Sequence, residues 1–238
     1  MQISIIYYTD CRVPEPIFSI CQTLIKDLGL PIFSVSLNKP IDFGTNFVIK
    51  GERGYPTMVN QIAKALEEAT TKYVFFCESD VLYHKSHFNF IPPTDELYYY
   101  NENGWRWDYP KDRFIRYDRL ISLSQMCCNR KLALAHFKAR QRRIAELPNS
   151  FLTKEPDQAR KWGYEPGTKR MGNGGFSDEK FDTWHSKYPN IDIRHSKTFS
   201  PPKTTLEGFK HLPTGWEETK MPISGWNIKE LFKGTLWS

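Results

Sequence analysis

Between Ile3 and Cys77, short apolar runs alternate with stretches of helical period, and that alternation limits the folds open to the chain. Ile3 to Tyr8 is apolar, β-branched and aromatic, and it ends at Thr9 and Asp10, which is the pattern of a buried strand. Ile17, Ile20, Cys21, Leu24 and Leu28 then repeat at three and four residues, with Pro16 suited to a first turn and Gly29 to a stop, so this stretch predicts a helix. Strands follow over Ile32 to Leu37 and, after Pro40 and Gly44, over Phe47 to Ile49. GERGYP leads into a second helix marked by Met58, Ile62, Leu66 and Ala69, and Tyr73 to Cys77 is the next buried strand. Strands alternating with helices of this length predict an α/β fold with a mostly parallel sheet, helices on both faces and right-handed crossovers.

Ligands of such sheets bind beyond the carboxyl ends of the strands. Asp10, Glu78 and Asp80 fall at that edge. In YVFFCESDVLYH, Glu78 and Asp80 are separated by one serine just past the strand, and an extended chain would turn both carboxylates to the same side. Magnesium or manganese takes such oxygens and completes its shell with water and phosphate. The plainer alternative makes Asp80 a turn cap and Glu78 a solvated loop acid.

The second half is less regular, with Pro-rich and Trp-rich segments and no internal repeat. Leu97 to Tyr100 and Ile191 to Ile193 are strand candidates. Leu132 to Leu147 reads as a helix with Leu134, Phe137, Ile144 and Leu147 inward and Lys131, Arg142 and Glu146 outward. No linker divides the chain, so residues 1–238 are read as one domain.

Composition narrows the class further. At 39% apolar and 15% aromatic the chain is suited to a folded core. No window reaches the roughly 18 uninterrupted apolar residues of a membrane helix. MQISIIYYTD lacks the basic region and cleavage site of a secretory signal, so a soluble, cytoplasmic protein without membrane insertion is expected. Five cysteines without a C-x-x-C pair suggest reduced core thiols. The net charge is +6, and residues 129–170 alone hold eleven Lys and Arg against four acids, a local balance of +7. That segment could grip a polyanion such as DNA, or could be a solvated basic face. No G-x-x-x-x-G-K-[ST] or G-x-G-x-x-G pattern occurs, which argues against P-loop hydrolysis and Rossmann redox chemistry.

The run GERGYPTMVNQIAKALEEATTKYVFFCESD resembles the donor half of GT-A fold glycosyltransferases, in which a helix precedes a strand ending in an Asp-x-Asp type motif. Glu78 stands where that motif usually has its first aspartate. The resemblance covers about residues 3 to 85 at the level of architecture. FNFIPP, YYYNENGWRWDYP, LISLSQMCCNR and PNIDIRH are similar to a group of GT-A-like glycosyltransferases in viral and metagenomic sequences, some of them thought to act on hydroxymethylated bases of DNA.

The resemblance implies a metal-dependent glycosyltransferase with a nucleotide-sugar donor. Residues 1–85 would form the nucleotide-sugar-binding half and 86–238 the acceptor side. Glu78 and Asp80 would hold manganese or magnesium, with His195 as a third ligand. Hydroxymethylated DNA is the leading acceptor and a glycan or lipid-linked acceptor its rival.

Thr9, Asp10, Lys50 and Arg53 are candidates for the nucleotide, since an acid at a strand end can accept from a ribose or base and Arg53 offers a forked cation to phosphate. Asp178, beside the glycines of GNGG at 172 to 175, is the first candidate for a catalytic base, with Glu155 and Asp157 as alternatives. Trp105, Arg106 and Trp107, with Tyr98, Tyr99, Tyr100 and Tyr109, could supply stacking faces or could be core. A non-catalytic nucleic-acid-binding module would explain the basic segment but leave Glu78 and Asp80 without a role. A metal nuclease is a third reading.

Overall fold

The structure, a computed structural model, describes residues 2–146, 165–168, 180–199 and 203–234. The expected alternation is present. Strands β1 (Ile3–Thr9), β2 (Ile32–Leu37), β3 (Thr45–Ile49) and β4 (Tyr73–Glu78) are mutually parallel, with helices α1 (Ile17–Lys26) and α2 (Tyr55–Glu68) between them. The chain continues through β5 (Val81–Leu82), β6 (Tyr98–Asn101), β7 (Gly104–Asp108), β8 (Phe114–Arg116), β9 (Met126–Asn129), α3 (Arg130–Ala145), β10 (Phe181–Trp184), β11 (Asn190–Arg194), β12 (Glu217–Thr219) and the short α4 (Ile228–Leu231).

Seven strands form the main sheet in the order β10-β6-β9-β4-β1-β2-β3, and only β9 runs antiparallel to its neighbours. The central strands β1, β2 and β4 are buried at all but one position each because both faces are covered. Ile6, Tyr8, Val74 and Phe76 point into a core shared with α2 and α3, while Ile5, Tyr7, Phe75 and Cys77 point into a second core with Ile25 of α1. α3 starts where the Asn129 side chain accepts from the Lys131 and Leu132 amides, at 2.8 and 3.4 Å, and satisfies two of the donors a helix start leaves open. Its Phe137 and Ile144 are buried as expected, Leu134 is half-buried, and Leu147 lies outside the described residues.

The half read as irregular contains a second sheet, ordered β12-β8-β7-β11-β5. Its inner face shares a third core with Ile17 and Cys21, so α1 is held between the two sheets. β5 is only two residues long, yet its antiparallel pairing with β11 ties the turn after β4 to the second sheet. Four of the five cysteines are buried and all five are free. Among the described residues no helix is long and apolar enough to cross a membrane.

Candidate active site

The site is assembled where β1, β4 and β11 end. The chain does not stay extended past Glu78: it turns at Ser79 and Asp80 and runs on as β5, so the convergence of the two acids does not come from strand alternation. The Thr9 hydroxyl donates to Ser79 Oγ at 3.1 Å and joins the end of β1 to this turn. The Ile193 amide donates to the Asp80 carbonyl at 2.8 Å and fixes it against β11.

β11 then delivers His195 onto Asp80, with Nε2 3.4 Å from Oδ2. The ring is buried, and Nε2 has no hydrogen-bond partner. Nδ1 accepts from the Lys197 amide at 3.1 Å, so in the neutral ring the proton sits on Nε2 and faces Asp80.

Glu78 is engaged differently. Its Oε1 accepts from the Tyr8 hydroxyl at 2.6 Å, and its backbone amide donates to the Tyr83 hydroxyl at 2.9 Å. Burial, and after it the Asp80 carboxylate, push its carboxyl up to about 8. Tyr8 is raised by its own burial and by Glu78, which keeps it a donor. On the outer face of β11, Asp192 contacts Arg194 at 3.1 Å and Arg106 of β7 at 3.6 Å. Burial works against the charge of Arg194, while Asp192 and Asp80 favour it strongly enough to leave its pKa above the ordinary value.

Next to the acid turn, a cleft of about 700 Å³ opens at the ends of β1, β2 and β3. Asp10 and Arg53 line it and bind each other: Asp10 Oδ1 accepts from the Arg12 amide at 3.0 Å, and Oδ2 takes Arg53 Nε. Arg53 also donates to the Lys197 carbonyl at 2.8 Å and stands 5.0 Å from the centre of the Phe199 ring. Asn38 and Gly51 hold two loops of the rim together through paired amide contacts of 2.8 and 3.0 Å.

Of the four residues expected at the nucleotide, Asp10 and Arg53 face the cleft. Thr9 is buried and serves the turn, and Lys50 reaches the Asn38 carbonyl at 2.7 Å. Arg12 and Lys39, exposed cations just after β1 and β2, also line the cleft. They carried a sequence signal that was not used, their position at strand ends. Asp192 and Arg194 were likewise legible in NIDIR, where they alternate with the core residues Ile191 and Ile193.

The remaining expectations fall into two groups, those outside the described residues and those the structure alters. Asp178, Glu155, Asp157 and the GNGG run lie outside the described residues. Tyr98, Tyr99, Tyr100 and Trp107 are buried, so they are core and not stacking faces. Three of the six described cations of the basic segment are taken up in structural contacts, while Lys131 and Arg142 are exposed. Arg140 is 1% exposed and donates to the Tyr55 hydroxyl at 2.7 Å, Arg130 donates to the Leu66 carbonyl at 2.9 Å, and Lys138 pairs with Glu67.

Among the described residues no group of three or more His, Cys, Asp and Glu is placed to hold a metal ion. A hard cation does not require one, since magnesium is commonly held by one or two carboxylates and completed by phosphate and water. Asp80 and Glu78 fit that donor set.

No family model matches the chain, and no curated protein does. Among solved structures it is similar to a glycosyltransferase involved in the glycosylation of the major capsid of PBCV-1, at 15% identity and TM-score 0.42 over 77% of this chain and 81% of the other. It is also similar to S. aureus TarS 1-349 in complex with UDP, at 12% identity and TM-score 0.44, covering 82% and 61%. A third likeness is to the bifunctional IspDF from Campylobacter jejuni, at 12% identity and TM-score 0.39, covering 90% and 55%.

Proposed function

We propose that the chain is a glycosyltransferase that moves a sugar from a nucleotide-sugar donor to an acceptor hydroxyl at the turn carrying Glu78 and Asp80. The observation that carries this reading is the double contact of Arg53, which binds Asp10 in the cleft and the Lys197 carbonyl two residues beyond His195. One arginine thus joins a cleft of a nucleotide's size to the turn that carries His195, the residue facing Asp80.

Arg12, Lys39 and Arg53 supply cations for the phosphates, and the Asp10 carboxylate keeps Arg53 in place. Glu78, Asp80 and His195 would hold manganese or magnesium, an ion that supplies Lewis-acid stabilisation of the charge on a departing diphosphate. Ligation at His195 Nε2 would need the lone pair there, which moves the ring proton to Nδ1 and gives up the Lys197 contact. Tyr8 holds Glu78 by donating to one of its oxygens and leaves the other open.

For the acceptor we place a glycan ahead of hydroxymethylated DNA. Of the six described cations of the basic segment, Arg130, Lys138 and Arg140 are engaged by Leu66, Glu67 and Tyr55, which thins the grip on phosphates that DNA would need.

A thermal-shift panel of nucleoside diphosphates and their sugars, with and without manganese, tests the reading. A ligand at about 100 times its dissociation constant stabilises by about 2.7 kcal/mol, enough to raise the melting point by several degrees. A panel in which no nucleotide stabilises the chain removes the donor site.

A further inference from the structure

A second cleft, of about 550 Å³, opens on the five-stranded sheet. Its lining includes Trp105 near the start of β7 and Lys187 and Pro189 just before β11, so it lies at the end of β11 opposite His195. Six residue steps from Pro189 to His195 separate the two by roughly 20 Å along the strand.

The floor is a row across three strands. Arg116 of β8 sits with its guanidinium 5.0 Å from the centre of the Trp105 ring, and Glu217 is its register partner on β12. Arg116 donates to both carboxylate oxygens of Glu217, Nε to Oε2 at 2.8 Å and Nη2 to Oε1 at 2.7 Å. An exposed pair of this kind adds little to stability, but the bidentate geometry holds a planar set of donors and acceptors beside an indole.

The walls are clamped as well. Trp226 Nε1 donates to the Pro189 carbonyl at 2.7 Å. Gly225, at φ +83, lies so close to Tyr188 that an added Cβ would come within 2.5 Å of the ring. The cleft is therefore formed in advance and does not depend on a ligand to shape it.

Its chemistry points to one ligand class. A partly buried aromatic with fixed planar polar groups suits the apolar ring faces and hydroxyls of a sugar. Two carboxylates, Glu217 and Glu218, in the lining disfavour a phosphate backbone, and the cations Arg116 and Lys187 balance them. We infer that this cleft is a carbohydrate subsite that holds a neutral glycan whose far end reaches the acid turn. As an acceptor site it rests on the glycosyltransferase reading, but sugar binding there does not.

The test uses the full chain in saturation-transfer NMR with a panel of neutral oligosaccharides built from glucose, mannose, galactose and N-acetylglucosamine, with duplex DNA as the polyanionic control. At least one oligosaccharide binds, and Trp105→Ala and the surface variant Glu217→Gln each weaken it at least about tenfold. Nucleoside diphosphate binding is unchanged in Glu217→Gln. Absence of binding across the panel, or binding that both variants leave intact, overturns the inference. Oligosaccharide binding in a chain that binds no nucleotide keeps the subsite and sinks the transfer reading.

Discussion

His195 meets Asp80 across the gap between the end of β11 and the turn after β4, Nε2 to Oδ2 at 3.4 Å, and the ring is almost wholly enclosed. Its other nitrogen is occupied by the Lys197 amide, so the imidazole has a fixed orientation and a single direction in which to act. Replacing Asp80 by asparagine keeps the shape and removes the charge. Asp80→Asn is therefore expected to weaken manganese-dependent nucleotide binding at least about tenfold, with unfolding midpoints close to wild type. Calorimetric titration of a nucleoside diphosphate with and without manganese measures this, and equal affinities in the two proteins would remove Asp80 from the donor site.

Arg53 makes two different bonds with one fork, to the Asp10 carboxylate and to the Lys197 carbonyl. Lysine has a point charge where arginine has a planar fork, so Arg53→Lys should keep only one of the two. Both Arg53→Lys and Arg53→Ala should loosen the 195–198 turn, seen as faster amide exchange at Lys197 and Thr198, and both should weaken nucleotide binding. Protection equal to wild type in Arg53→Ala would mean that the turn is held by its own bonds, such as Thr198 to the His195 carbonyl.

How much of this was written in the sequence depends on the range of the forces involved. The first four strands and two helices were legible because each is buried on both faces or amphipathic along its length, as Ile5 and Ile6 show by entering opposite cores. Of the second sheet only β11, expected over Ile191 to Ile193, was legible. The sheet's strands are three to five residues long, apart from the two-residue β5, and are paired across distant segments, as Glu217 is with Arg116. The acid turn was found from local chemistry, but by the wrong geometry, since the chain bends at Ser79. That His195 would reach Asp80 came from the resemblance. The tertiary contact behind it, the Ile193 amide on the Asp80 carbonyl, has no local signature.

His87 gives a pH dependence away from the site. It is fully buried, stacked at 5.4 Å on Trp184, and burial pushes its pKa from 6.5 down to about 3. Asn101 Nδ2 donates to its Nδ1 at 3.0 Å, which suits a neutral ring. Between pH 6.5 and 3 the unfolded chain takes up a proton at this histidine and the folded chain does not, so acid favours unfolding through that window. Urea midpoints should therefore fall on acidification more steeply in wild type than in His87→Gln. Parallel pH profiles for the two proteins would show that His87 does not carry the effect.

Arg140 has a structural part in the basic helix. Its guanidinium lies beside Phe137 and donates to the Tyr55 hydroxyl, joining α3 to the first turn of α2, and at 1% exposure it has no access to a phosphate outside. Removing the hydroxyl takes away a buried acceptor from a charged donor, which costs about 1–3 kcal/mol. For a chain of this size that corresponds to a fall in melting temperature of roughly 2–12 °C for Tyr55→Phe. If the residue acted instead as part of a nucleic-acid grip, Arg140→Gln would leave the melting temperature alone and lower the salt sensitivity of DNA binding. Calorimetric melting of both variants, beside a salt titration of DNA binding, separates the two, and we expect the loss to appear in stability.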